Sequence, residues 1–353
     1  MPLAFDHRTL GQRVLFGTGR ALEHVVTAVE DLGAERVLLI RGGPDATLAD
    51  AVARRVPVAV RIDGAVQHVP VERADDAVAK ARAADVDAIV SIGGGSAVGL
   101  AKAVALRTGT PIVAVPTTFA GSEATDVWGL TEASRKTTGS DPRVLPRTVV
   151  YDASLSVGLP ATLAVSSGLN ALAHAVDGLW APRADPINRA LGTEGVRALV
   201  PGLRGLAADP DDLDAREQTL YGAYLAAVAF ASAGSGLHHK ICHTLGGAFG
   251  LPHAEMHSVV LPYVTAFNAP AAPDAAARLR SLLGVDDAAA RLNALRIELG
   301  APASLAAIGL READVPEAAE LTLPSVPPSN PRPVTTADLE AIIHAAWAGD
   351  PIS

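Results

Sequence analysis

His238, His239, His243 and His253 crowd one short stretch of this chain. His239 and His243 are four apart in a segment that reads as helix, and Asn170 and His174 are four apart in another. Residues at i and i+4 share a helix face, so each pair points one way. His253 follows in Leu251-Pro252-His253. Two such pairs on facing helices, with one loop histidine, can converge on a metal ion or on a substrate oxygen. A lone histidine on an apolar face is more often a satisfied core residue, but the density here favours a functional cluster.

A second constellation lies earlier. Ile92-Gly93-Gly94-Gly95-Ser96 follows a strand-like run and opens a helix. Glycines let a backbone approach phosphate oxygens, and a helix N-terminus offers free N–H groups with positive partial charge. This is not the G-x-G-x-x-G fingerprint, and a tight turn without a ligand reads the same way. Thr117 and Thr118 end the next strand, and Ser122 comes soon after. Ligands of open α/β sheets sit beyond the carboxyl ends of strands; helix capping is the plainer role for these hydroxyls. Lys136 can reach a phosphate or stay a solvated lysine.

The elements that must position these groups alternate in the first half. Arg36–Arg41, Asp87–Ile92, Pro111–Val115 and Arg147–Tyr151 are short apolar runs bounded by Gly and Pro, as buried parallel strands require. Amphipathic stretches such as Ala74–Ala84 and Val98–Thr108 lie between them. The alternation predicts a parallel sheet covered on both faces. Beyond about Pro160 the chain reads as helical: Ser166–Leu179, Pro186–Leu206, Asp214–Ala233 and Ala337–Ala348, with candidate stops at Pro201-Gly202 and Gly234. A Pro-rich connector covers 321–334. The expected division is an α/β domain, residues 1–152, and an all-α helical domain, residues 153–353.

With 353 residues, 49% hydrophobic and 19% charged, the chain is long enough for two cored domains. A net charge of −9 without a basic block argues against nucleic acid or an anionic membrane as main partner. The single cysteine, Cys242, excludes an intrachain disulfide and a Cys-rich zinc site, and burial as a small hydrophobe is its expected role. No secretory signal or bilayer-length apolar run is visible, so a cytoplasmic protein is expected.

These residues carry a resemblance. GGGS with Lys102 downstream, then VPTTFAGSE, Lys136 and HHKICHTLGGAFGLPH, is similar to the iron-containing (group III) alcohol dehydrogenases over nearly the whole chain. The resemblance implies a dinucleotide-binding α/β domain plus a helical domain, the dehydroquinate synthase-like architecture, with the active site in the cleft between them. It implies that Gly93, Gly94, Gly95 and Ser96 bind the pyrophosphate, that Thr117, Thr118 and Ser122 line the cofactor groove, and that Lys136 sits near it. The family holds its metal with one Asp and three His. His174, His239 and His253 match the histidines, Asn170 stands at the Asp, and His243 matches a histidine near the nicotinamide. A homodimer is also implied.

Two departures, Asn170 and Gly99 where most of the family has Asp, together with SGLNALAHAV and NPRPV, resemble the maleylacetate reductase branch. That implies reduction of the C=C bond of maleylacetate to 3-oxoadipate with NADH or NADPH, in breakdown of aromatic compounds. In that reading His243 donates the proton, His239 and His253 position the oxygen, and Lys240 and Arg332 hold the carboxylates. An amide is a weaker ligand than a carboxylate, so no metal is expected; if one is bound, Asn170, His174, His239 and His253 hold it. No acid follows the strand ending at Arg41, so nothing there repels a 2′-phosphate and Arg41 can attract one. Open alternatives are a metal-dependent alcohol dehydrogenase, a lyase resembling 3-dehydroquinate synthase, and a family member that binds nucleotide without turnover.

Overall fold

The computed structural model describes residues 4–43, 46–64, 69–132 and 135–352, with backbone only at Glu132, Arg135 and Lys136. The chain divides into two compact units, Leu10–Leu159 and Pro160–Ser353, the second joined by the stretch ending at Thr9. Two contacts tie that stretch to the helices: His7 Nδ1 lies 2.8 Å from Asp185 Oδ2, and Ser232 Oγ donates to the Arg8 carbonyl at 2.9 Å. Asp152, near which the sequence placed the boundary, belongs to the first unit. Its carboxylate accepts from the N–H groups of Gly19 and Ala21 at 2.9 and 3.0 Å.

The first unit runs β1 (Arg13–Phe16), α1 (Ala21–Asp31), β2 (Val37–Arg41), α2 (Thr47–Ala53), β3 (Val58–Asp63), α3 (Val71–Ala83), β4 (Ala88–Gly93), α4 (Gly95–Thr108), β5 (Ile112–Pro116), the antiparallel hairpin β6 (Val127–Glu132) and β7 (Arg135–Ser140), and β8 (Thr148–Tyr151). Six strands form one parallel sheet in the order β1-β8-β5-β4-β2-β3. Side chains alternate across it. Leu38, Ile40, Ile89, Ile112 and Ala114 pack with α3 and α4, while Val37, Leu39, Val90, Ile92, Val113 and Val115 pack with α1 and α2. The four interior strands are the four that the apolar runs predict. The two edge strands, β1 and β3, were not recognised, because an edge strand need not be apolar throughout.

The second unit is helical throughout among the described residues: α5 (Ala161–Gly178), α6 (Pro186–Ala208), α7 (Leu213–Ala233), α8 (Leu237–Phe249), α9 (His253–Asn268), α10 (Pro273–Leu283), α11 (Ala288–Glu298), α12 (Val315–Thr322) and α13 (Thr336–Ala348). Every residue of α5 from Ala164 to Gly178 is buried, including the polar Asn170, His174 and Asp177. The backbones of α6 and α7 nearly touch: a Cβ on Gly222 would lie 2.9 Å from the Gly195 carbonyl oxygen. Leu237, Ile241 and Leu245 of α8 share a core with Val259 and Val260 of α9 and Leu339 and Ile343 of α13. That core fixes the two helices that carry most of the histidines.

One expected stop is corrected. Helix α6 does not end at Pro201 but runs through it to Ala208. Proline removes one N–H from the ladder, but Pro201 and Arg197, whose carbonyl loses that partner, are both exposed, and an unpaired backbone group is costly only where water is kept out. The stop at Gly234 holds, with φ +86° there. Among the described residues no single helix is long and apolar enough to cross a membrane.

Candidate active site

Two sites are assembled, one in each unit. In the first, the chain leaves β2 toward β3 on one side of the sheet and leaves β4 toward β5 on the other. Such a reversal opens a crevice at the carboxyl ends of the two strands. Here the crevice is floored by glycine on both sides. The Gly42 N–H donates to the Ile92 carbonyl at 2.8 Å. Gly93 has φ +146°, and a Cβ on it would lie 2.9 Å from Ala97 Cβ and 3.1 Å from Gly42 Cα. Gly94 precedes α4, and a Cβ there would meet Thr118 Cγ2 at 2.8 Å. The Thr117 N–H donates to the Gly93 carbonyl at 3.2 Å. Gly93, Gly94, Gly95, Ser96, Thr117 and Thr118 are thus brought together around a bare helix N-terminus, which suits a phosphate.

Ser122 serves this site indirectly. Its carbonyl, with Thr125 O, Thr125 Oγ1 and Val127 O, accepts from Lys102 Nζ at 2.6, 2.9, 3.0 and 2.7 Å. Lys102 is buried on α4, and burial pushes its ammonium down to about 7, opposed by the charges of Glu123 and Asp126. It pins the segment after β5 to the helix that begins at the glycine turn. Lys136 lies on β7, and its side chain is outside the described residues. The Arg41 guanidinium donates to Asp63 Oδ1 at 2.7 Å and to the Gly43 carbonyl at 2.6 Å.

The second site is a cluster of imidazoles. Helix α5 supplies Asn170, His174 and Asp177, spaced i, i+4 and i+7 on one face. Helix α8 supplies His238, His239, Cys242 and His243, and α9 supplies His253 and His257. The rings of His174 and His239 stack at 5.1 Å, and Phe230 of α7 packs on both, at 4.9 and 4.2 Å. His239 lies 6.1 Å from His243 and 5.0 Å from His257, which lies 4.4 Å from His253. His243 and His253 are exposed, whereas His174, His238, His239 and His257 are buried. The cluster therefore has a wet edge and a dry floor.

Burial sets the protonation of the floor. It pushes His174 down to about 4, with the Asp177 charge opposing and His243 reinforcing. His238, His239 and His257 are held well below the usual histidine range, first by burial and then by neighbouring imidazoles of the cluster. These rings are neutral at pH 7, each with one donor and one acceptor nitrogen.

Asp177 organises them. It is fully buried; His239 Nδ1 lies 2.7 Å from its Oδ2, and the Gly236 N–H donates to the same oxygen at 2.8 Å. Burial raises its carboxyl. The backbone N–H groups of Gly236, His239 and His238 pull it back. Sequence reasoning missed Asp177, Phe230 and His257. Two of them carried a signal: Asp177 continues the Asn170–His174 face, and His257 stands four residues after His253.

Lys240 is partly exposed on α8, and its charge bears on His239. Arg332 is exposed, with its guanidinium over the Phe267 ring at 4.2 Å, and no contact joins it to the histidines among the described residues. Cys242 is buried, its Sγ 3.7 Å from His238 Nε2, and burial pushes its thiol well above the ordinary range.

Two family models match the chain, iron-containing alcohol dehydrogenase over residues 11–153 and the C-terminal domain of the same family over residues 164–347. The chain belongs to the iron-containing alcohol dehydrogenase family and is an oxidoreductase. Among its relatives, the maleylacetate reductase of Pseudomonas sp. (strain P51) is 46% identical over 98% of this chain and 99% of its own length. A solved iron-containing alcohol dehydrogenase from Corynebacterium glutamicum is 52% identical, with a TM-score of 0.96 over 99% of this chain and 98% of that one. The solved maleylacetate reductase of Rhizobium sp. strain MTP-10005 is 42% identical, with a TM-score of 0.94 over 99% of both chains.

The family name implies iron, and the residues present do not fit it. Asn170 is neutral, and the buried carboxylate nearby, Asp177, is committed to His239 and the start of α8. Among the described residues, the three His, Cys, Asp or Glu side chains whose ligand atoms lie within 4.8 Å of one another are His238, Cys242 and His257, not His174, His239 and His253. That trio is no better. His238 Nε2 and His257 Nδ1 lie 2.8 Å apart and share a hydrogen bond, whereas two imidazole nitrogens on a tetrahedral zinc stand about 3.3 Å apart.

Proposed function

We propose that this enzyme reduces the carbon–carbon double bond of maleylacetate to 3-oxoadipate with NADH or NADPH, without a resident metal. The observation that carries the reading is that a chain 46% identical to a maleylacetate reductase holds a glycine-floored crevice in one unit and, separately, a neutral imidazole cluster in the other. The crevice supports a dinucleotide: backbone N–H groups at the start of α4 suit the pyrophosphate. Arg41 is already engaged by Asp63, so it is a weak attractor for a 2′-phosphate, and either cofactor is expected to serve.

The substrate is an enone between two carboxylates. Hydride adds to the alkene carbon β to the ketone, and charge moves to the ketone oxygen as an enolate. A donor placed beforehand at that oxygen lowers the barrier. The exposed edge of the cluster supplies the candidates: His243 to protonate the adjacent carbon, His253 to donate to the oxygen. The buried floor of Asn170, His174 and His239 shapes and dries what lies beneath. Lys240 is the better of the two carboxylate candidates, because its charge bears on the cluster; Arg332 is spent on Phe267. A cytoplasmic homodimer is the assembly proposed, with no nucleic acid or membrane partner.

The test is direct. Chelator-stripped protein, mixed with NADH and fresh maleylacetate, is expected to consume NADH and form 3-oxoadipate at the rate of untreated protein. Turnover that returns only with added iron or zinc would overturn the metal-free part. No turnover under either condition would overturn the substrate.

A further inference from the structure

The histidine cluster rests on a carboxylate closed off from solvent. Asp177 is fully buried beneath the rings. One of its oxygens binds two groups at once, the Gly236 N–H at 2.8 Å and His239 Nδ1 at 2.7 Å. Gly236 precedes the first residue of α8, so the carboxylate sits at that helix's N-terminus, where unpaired N–H groups and the helix dipole favour negative charge. The approach leaves no room for a side chain, since a Cβ on Gly236 would lie 2.4 Å from Asp177 Oδ1.

This has a consequence for the ring. A neutral imidazole carries one proton. A carboxylate that accepts from Nδ1 fixes the proton there and leaves Nε2 bare. His239 Nε2 is indeed buried with no hydrogen-bond partner, as is Asp177 Oδ1. We infer that Asp177 is a positioning residue: it locks His239 as the Nδ1–H tautomer, so that His239 is an acceptor in this site and not a donor. His239 then cannot hydrogen-bond an enolate oxygen, which corrects the expectation that it positions that oxygen with His253. The donors to the developing charge are left to the exposed edge, His243 and His253. The reach of this inference into catalysis rests on the reductase reading; the tautomer itself does not.

The experiment is nitrogen NMR of the full-length protein labelled with ¹⁵N-histidine, with His239 assigned by the resonances lost in His239→Asn. Wild type is expected to show a protonated Nδ1 and an unprotonated Nε2. In Asp177→Leu no acceptor remains at Nδ1, and the fixed Nδ1 proton is expected to give way to a mixture of the two tautomers. With maleylacetate, Asp177→Leu should lower kcat on the order of 10–100-fold, the usual cost of removing a partner that orients a functional histidine, and leave KM within about threefold. Asp177→Glu should recover part of the loss. A wild-type His239 protonated at Nε2, or an Asp177→Leu protein still protonated wholly at Nδ1, would overturn the inference. If Asp177→Leu does not fold, the wild-type spectrum still decides, and Gly236→Ala supplies the perturbation by displacing the carboxylate. An enzyme inert toward maleylacetate would sink the substrate assignment alone, because the tautomer is read without turnover.

Discussion

Replacing Lys102 with methionine tests whether the cofactor crevice is held from behind. Lys102 Nζ donates to four oxygens of the segment 122–127, all within 3.0 Å. The Ser122 carbonyl keeps another donor, the Thr125 N–H at 3.2 Å, so the loss falls mainly on the carbonyls of Thr125 and Val127. Each buried acceptor left without its donor costs about 1–3 kcal/mol. Two give about 2–6 kcal/mol, reduced because methionine needs no desolvation, so a net loss of about 2–4 kcal/mol is expected. A unit of this size loses about 2–4 °C per kcal/mol, which places the fall in Tm at about 4–16 °C. The loss should also depend on pH. The folded-state pKa of Lys102 is depressed from 10.5 to about 7. Between those values the unfolded chain holds a proton that the folded chain lacks, so wild-type stability gains with rising pH and the gap to Lys102→Met widens. Calorimetry at pH 7 and pH 9 reads both effects, and NADH titration reads the crevice. A Tm loss under about 2 °C, with unchanged NADH affinity, would refute the reasoning.

Two further outcomes follow from the same geometry. His243→Gln should lower kcat with maleylacetate about 10²–10⁴-fold, the range for losing a general acid, and leave NADH binding unchanged in a fluorescence titration; a variant within about threefold of wild type would return the proton to another group. Gly93→Ala forces a Cβ to within 2.9 Å of Ala97 Cβ and 3.1 Å of Gly42 Cα, at φ +146°, and is expected to weaken NADH binding at least about tenfold by moving the turn, since non-glycine residues carry about 1–3 kcal/mol of strain there. Unchanged NADH affinity in that variant would detach the turn from the cofactor.

The four interior strands and the long helices were legible because burial on both sides leaves a continuous apolar run, and a core helix leaves a 3.6-residue period. The edge strands β1 and β3 were not, since one side of each needs no apolar cover, and Pro201 misled because its cost depends on whether water reaches Arg197, which only the fold decides. At the site, spacing alone gathered Asn170 with His174 and His239 with His243. It could not say which histidines would be wet. His243 and His239 are one helical turn apart, yet the first is exposed and the second buried. Arg332 shows the converse limit. A cation beside the Pro-rich connector looks available in sequence, yet its guanidinium lies on Phe267.

The charge in the imidazole cluster supports the proposal of a family fold working without a resident metal. A dication needs anionic or strongly donating ligands around it. In this chain the position matched to the family's acidic ligand is an amide, Asn170, with its Oδ1 buried and unpartnered, while two helical turns along the same face Asp177 is buried among backbone N–H groups. The negative charge is thus present, but one layer deeper, where it sets the tautomer of a ring instead of neutralising an ion. The four buried imidazoles around it stay uncharged because burial penalises their protonation. A floor of neutral rings over a committed carboxylate leaves few ways to stabilise an enolate except through donors at the wet edge. That edge carries His243 and His253, so the chemistry should fall to the two histidines that the fold leaves exposed.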